Sequence, residues 1–232
     1  IFNLDILFVS ILLGAVQMII ATIYSLHFYQ RNFSSIQSNE ILPKSQWLER
    51  LKMGGNFFII QIGIIIIFST DNVLVSNLLS SSEVTEYSSI TRVVVTFLSI
   101  WYLIINPASY RVSEYLGKHD YINLKRLIIK LNKSLVLISI GLIVLSLFLD
   151  DLLSFWLGYE VVLPHGLAII SIITIIIRMQ GEIFSSVLNV IEKIQFQAKI
   201  VLLAAVINIP LSIVFVNYVF NSSTGVIMGS LC

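Results

Sequence analysis

The sequence predicts an all-α, polytopic membrane helix bundle with six complete spans and the opening of a seventh. Six apolar runs, at about 4–28, 57–79, 87–110, 132–153, 163–189 and 198–220, approach or exceed the ~20 residues that cross a bilayer. Apolar residues make up 57% of the chain and charged residues only 12%. Ordinary soluble domains hold about 45–50% and about 25%, so lipid must be the solvent for most of the surface. Basic residues also fall in alternate gaps. Arg31, Lys44, Arg50 and Lys52 occupy the gap at 29–56. Arg111, Lys118, Lys125, Arg126, Lys130 and Lys133 occupy 111–133, and Lys193 and Lys199 occupy 190–199. The gaps at 80–86, 154–162 and 221–224 hold none. The positive-inside rule makes the first set cytoplasmic and the second outward-facing.

A net charge of +1 argues against nucleic acid as a partner. Membrane lipid is the partner that the boundary lysines and arginines imply, through anionic headgroups. The one cysteine, Cys232, excludes an internal disulfide. The chain has no initial methionine and no cleavable signal, and residues 225–232 open another apolar run. These features lead us to expect an internal piece of a longer protein.

In the gap at 29–56, the stretch from Arg31 to Ile41 is polar and reads as a linker. After Pro43, the residues Trp47, Leu48 and Leu51 share one helical face, as an interfacial amphipathic helix would have them. Gly54 and Gly55 offer a bend before the second span; a continuous helix is the other reading. Asp120 is placed to cap a helix rising from Tyr121 through Lys125, Arg126 and Lys130 into the fourth span. Asp150 and Asp151 fall at the outer end of that span and read as an interfacial stop. Pro107 and Pro210 each remove a helical hydrogen bond and predict a kink.

Ionisable groups within spans are the first candidates for function, because each is costly in hydrocarbon. Span two carries Ser69-Thr70-Asp71-Asn72. Gln61, Ser69, Asn72 and Ser76 form one helical stripe, with Asp71 at its border. The stripe is either a hydrogen-bonded helix contact or a wall of a polar translocation cavity. Arg92, in span three, can pair with Asp71, snorkel to lipid phosphate, or hold an anionic substrate. Arg178 and Glu182 lie four residues apart in span five, on one face. They are either a self-neutralising pair, or a phosphate-binding guanidinium beside a titratable group suited to ion coupling. Candidate substrate-binding residues are therefore Arg92, Arg178, Asn72, Gln61 and Ser69, and candidate ion-coupling residues are Asp71 and Glu182. His27, His119 and His165 have no ligand spacing, and no HExxH, CxxC, Walker loop or nucleophile elbow is present. Neither a cofactor nor a metal is expected, nor is catalysis.

The segment Phe68-Ser69-Thr70-Asp71-Asn72-Val73-Leu74-Val75 is followed by Leu78-Leu79, Val84 and Tyr87-Ser88. It continues through Asn106-Pro107 to Tyr115-Leu116-Gly117-Lys118-His119-Asp120-Tyr121. Over about 57–130 this resembles the O-antigen and capsular polysaccharide flippases (Wzx-type), whose superfamily also holds multidrug exporters and lipid II flippases. Relatives often carry glycine where this chain has Ser80. The resemblance implies a fragment of a two-lobe, twelve-helix transporter. Residues 1–28 would hold the last helix of the first lobe, 29–56 the cytoplasmic inter-lobe linker, and 57–232 an incomplete second lobe.

The implied cargo is a polyprenyl-pyrophosphate-linked oligosaccharide, an O-antigen or capsule repeat unit. It would be flipped across the bacterial inner membrane, in company with other polysaccharide-assembly proteins. Competing readings are a multidrug or lipid II exporter, a membrane enzyme of polysaccharide assembly, and a structural subunit. The short outward gaps count against the enzyme, and the intramembrane charges against the structural subunit.

Overall fold

A computed structural model describes residues 6–33 and 43–231. Among the described residues the chain is helical with no strand, and six helices are long and apolar enough to cross a membrane. The chain divides into two compact units, Ile1–Leu48 and Glu49–Cys232.

The first unit holds helix α1, Ile6–Phe33, whose described side chains are all exposed. Two of its polar side chains bond to its own backbone. Thr22 Oγ1 donates to Met18 O at 2.7 Å, and Asn32 Nδ2 to Phe28 O at 3.0 Å. For Thr22, within the apolar run, that bond satisfies the hydroxyl without water. Residues 34–42 of the expected linker at 29–56 lie outside the described residues, as do residues 1–5 and Cys232.

Helix α2, Lys44–Leu78, runs unbroken through Gly54 and Gly55, so the continuous reading holds and there is no separate interfacial helix. The second unit then continues with α3 (Ser81–Gly117), α4 (Tyr121–Ser146), α5 (Leu149–Leu157), α6 (Leu167–Val190), α7 (Ile194–Phe215) and α8 (Ser223–Leu231). A π-turn over Val216–Phe220 joins the last two. At 35 and 37 residues, α2 and α3 exceed what the ~30 Å hydrocarbon layer needs. The basic gap at 111–133 is therefore mostly helix, with a tight turn at 118–120.

As expected, Asp120 caps α4, accepting from Asn123 N at 3.1 Å and Asn123 Nδ2 at 2.6 Å. The fourth span differs from expectation. It begins at Tyr121 and ends at Ser146, and Asp150 and Asp151 lie in the first turn of the separate helix α5. Gly158 ends α5 with φ 75°, a left-handed cap that a side chain would strain. Both α3 and α7 continue through their prolines.

The core forms around α3, α4 and α6. Buried positions on α4 are Leu124, Leu131, Leu135 and Leu142, and on α6 they include Leu167, Ile172, Ile175, Met179 and Ile183. Spacings of four and seven on α4, and of three and four from Ile172 onward on α6, place each run on one stripe, as knobs-into-holes packing demands. Trp101, 1% exposed, sends its indole N–H to Met179 O at 3.1 Å and fixes α3 against α6. Near the N-terminal end of α7, Ile194 and Ala198 pack with Ile60 of α2. Tyr110, Tyr121, Tyr159 and Tyr218 are exposed near helix ends, as tyrosines at a membrane interface would be.

Helices α7 and α8 approach backbone to backbone. A Cβ on Gly229 would lie 2.6 Å from Ser212 Cα, and one on Gly225 2.7 Å from Val216 N. Such small-residue seams allow the close contact that drives association in lipid. We expect Gly229→Ala to destabilise the detergent-solubilised protein by about 1–3 kcal/mol, since backbone must move. Thermal unfolding measures this, and Gly54→Ala, in open space inside α2, should not lower stability and should raise it slightly. Separately, the Asn123 N–H and then its side-chain amide hold the Asp120 carboxyl below its ordinary range. The resulting stability is present above the unfolded carboxylate range and is lost as pH falls through the lower folded value. Stability of Asp120→Asn, which keeps a cap without the charge, should lose that acid dependence.

Candidate functional site

Two polar clusters form inside the apolar bundle. The first centres on Asp71, in the C-terminal half of α2, which is 4% exposed. Its Oδ2 accepts from the Tyr87 hydroxyl of α3 at 3.2 Å and from Ser230 Oγ of α8 at 2.7 Å. Asn208 of α7 donates its amide to the same Ser230 oxygen at 2.8 Å. One serine thus joins a carboxylate and an amide from different helices. Asp71 Oδ1 and Asn208 Oδ1 are buried without a hydrogen-bond partner. A buried acceptor left so costs about 1–3 kcal/mol. Every donor to Asp71 is neutral. Such a constellation can take up a proton, or a small hard cation through its carboxylate, amide and hydroxyl oxygens. Among the described residues no group of three or more His, Cys, Asp or Glu could hold a metal.

The second cluster joins α3 to α6. The Tyr102 hydroxyl donates to Glu182 Oε1 at 2.8 Å, and the half-buried Arg178 guanidinium interacts with both groups. Tyr102 is therefore the third member of the expected Arg178–Glu182 pair. The Trp101 indole bond to Met179 sits beside this cluster and holds the two helices in register.

The other sequence candidates lie on exposed faces. Gln61, Ser69 and Asn72 are exposed, with Ser76, on α2. Asp71 faces the bundle with Ile60, Gly63 and Val75, so it does not share the stripe's face. At about 100° per residue the two sets point more than a quarter-turn apart. Arg92 is likewise exposed. It lies five residues from Tyr87, about 140° around α3, so Asp71 bonds Tyr87 and the ion pair, one of the three readings of Arg92, does not form.

Arg92 instead belongs to a polar stripe on α3 that sequence reasoning missed: Thr85, Ser88, Arg92, Thr96, Ser99 and Asn106. Their spacing of three, four and seven residues was visible, but apolar neighbours diluted it. Thr96 Oγ1 and Ser99 Oγ each donate to the carbonyl four residues back at 2.8 Å. Tyr87, Asn208 and Ser230 were also missed. Only Asn208, beside Pro210 in an apolar run, carried a local signal.

A model of the MatE family matches residues 57–214, more than half of the chain. It takes in every residue of the two clusters and both stripes except Ser230. No curated protein and no solved structure matches.

Replacing Ser230 with alanine strips Asp71 of its shorter hydrogen bond and Asn208 of its acceptor. We expect a loss of about 1–3 kcal/mol in thermal or denaturant unfolding, largely restored by Ser230→Thr. Tyr102→Phe should cost about 1–2 kcal/mol by the same measurement, because Glu182 loses a donor in a half-buried site.

Proposed function

Because the chain belongs to the MatE family, whose members are membrane transporters rather than enzymes, we propose that it serves to flip a polyprenyl-pyrophosphate-linked oligosaccharide. The direction is from the inner to the outer leaflet of the bacterial inner membrane, by alternating access. The observation that carries this reading is the exposed stripe around Arg92. Exposed charge on a membrane-spanning helix cannot rest in hydrocarbon and calls for a hydrated passage or a charged ligand. A guanidinium there, with Thr96, Ser99 and Asn106 along the same face, suits a pyrophosphate followed by sugar hydroxyls. On α2, Gln61, Ser69 and Asn72 supply further groups for sugars. The lipid tail stays in the bilayer.

In this reading Arg178 is a second anion-binding cation, tethered by Tyr102. Asp71 and Glu182 are the coupling groups, and Asp71 alternates between loaded and unloaded states as α2, α3, α7 and α8 repack. The resemblance over 57–130 favours an oligosaccharide substrate. A multidrug or lipid II exporter is the runner-up; it would use the same coupling cluster with a different stripe.

Surface polysaccharide in cells making the full-length protein tests the cargo. Arg92→Ala should reduce surface polymer by tenfold or more at unchanged protein level, an effect of about 1.4 kcal/mol or more on substrate recognition. Normal polymer with both Arg92→Ala and Arg178→Ala would overturn the cationic cargo site. For coupling, Asp71→Asn vesicles should flip labelled substrate at a rate insensitive to imposed proton or sodium gradients. Unaltered gradient dependence would remove Asp71 from that role.

A further inference from the structure

We infer that α5 is an amphipathic foot lying in the outer membrane–water interface, where it binds the headgroup layer and seats the α4–α6 connection. The helix has nine residues, about 14 Å, too short to cross. Leu149 and Leu153 are fully buried in the core and fix its underside. Yet its apolar arc continues well beyond that contact. Leu152, Phe155 and Trp156 are exposed, Phe155 at 89% and Trp156 at 55%. Phe148, just before the helix, adds another exposed ring on the same side. The opposite arc carries Asp150, Asp151 and Ser154.

One half of the apolar arc is thus spent on the protein and the other half is not. Large aromatic side chains are not left in water without cause. Three features identify the occupant as lipid. First, the exposed arc follows within a few residues of α4, which carries its own exposed apolar face of Val136, Leu137, Ile140, Ile143 and Val144. Second, tryptophan and phenylalanine beside exposed carboxylates make up the amphipathic pattern of a helix in the interfacial plane. Third, the segment follows the end of a span that rises from the basic, cytoplasmic side, which places it at the outer boundary. With two carboxylates and no basic residue, α5 would bind through apolar insertion rather than attraction to anionic lipid.

The ends of α5 are built to hold this pose. Ser154 Oγ accepts from Val161 N at 2.8 Å and donates to Val161 O at 3.4 Å, folding the 158–162 loop back on the helix. Tyr159 and Val162 remain exposed in that loop.

Site-directed spin labelling of the reconstituted chain tests this. Cysteines replace Asp151, Phe155 and Trp156 one at a time, with Cys232→Ser, in phosphatidylethanolamine and phosphatidylglycerol vesicles. The ratio of oxygen to nickel-chelate accessibility should be several-fold higher at 155 and 156 than at 151, and should match a label at 144. Nickel-dominated access at all three positions would overturn the inference. So would low access of both probes at 155, since a protein partner would then cover the arc. As a second measurement, Trp156→Phe should remove much of the tryptophan emission quenched by lipids brominated near the headgroup; an unchanged quenched fraction would count against it.

Discussion

Polar groups in an apolar slab must find partners inside the protein or in a hydrated space, because hydrocarbon offers none. Asp71 shows the consequence most directly. Its carboxylate draws a tyrosine from α3 and a serine from α8, and the serine draws an asparagine from α7. In water such bonds would be exchanged for solvent at little net cost. Within the bilayer they decide which helices adjoin. The close seam of α7 and α8, made possible by Gly225 and Gly229, is what brings Ser230 within reach.

A similar logic governs the α3–α6 seam. Apolar matching by itself does not select one helix register in lipid, since tails are as apolar as leucine. The Trp101 indole bond to Met179 and the Tyr102–Glu182 bond supply directional contacts at adjacent positions. They place Arg178 and Glu182 beside a neutral donor from another helix. The result differs from a self-contained ion pair, because it links a charged site to the relative position of two helices. A transporter of the MatE family that changes conformation would sense such a link.

The polar residues that stay outside both clusters are segregated. On α2 and α3, hydroxyl and amide side chains gather on exposed stripes, while Asp71 and Tyr87 turn inward. Back-bonding of Thr96 and Ser99 to their own carbonyls lowers the cost of that exposure without hiding Arg92. Buried and exposed polarity therefore have different tasks on the same helices: one joins the bundle, the other equips a surface.

Much of this was legible in the chain alone. Hydropathy and charge placed six spans, because crossing hydrocarbon is a one-dimensional demand on length and composition. The Asp120 cap was readable because it is local, reaching only three residues. Asp71, Arg92, Arg178 and Glu182 were identifiable as costly groups. Their partners were not, since nothing in the order of residues says which face of α2 meets the bundle or that Ser230 would lie beside Asp71. Likewise the break after Ser146 and the turn into α5 were hidden inside one apolar run, where a bent and a straight path are equally hydrophobic. Burial cost is written in single residues, whereas its relief depends on contacts between distant ones. Tertiary packing alone decided those.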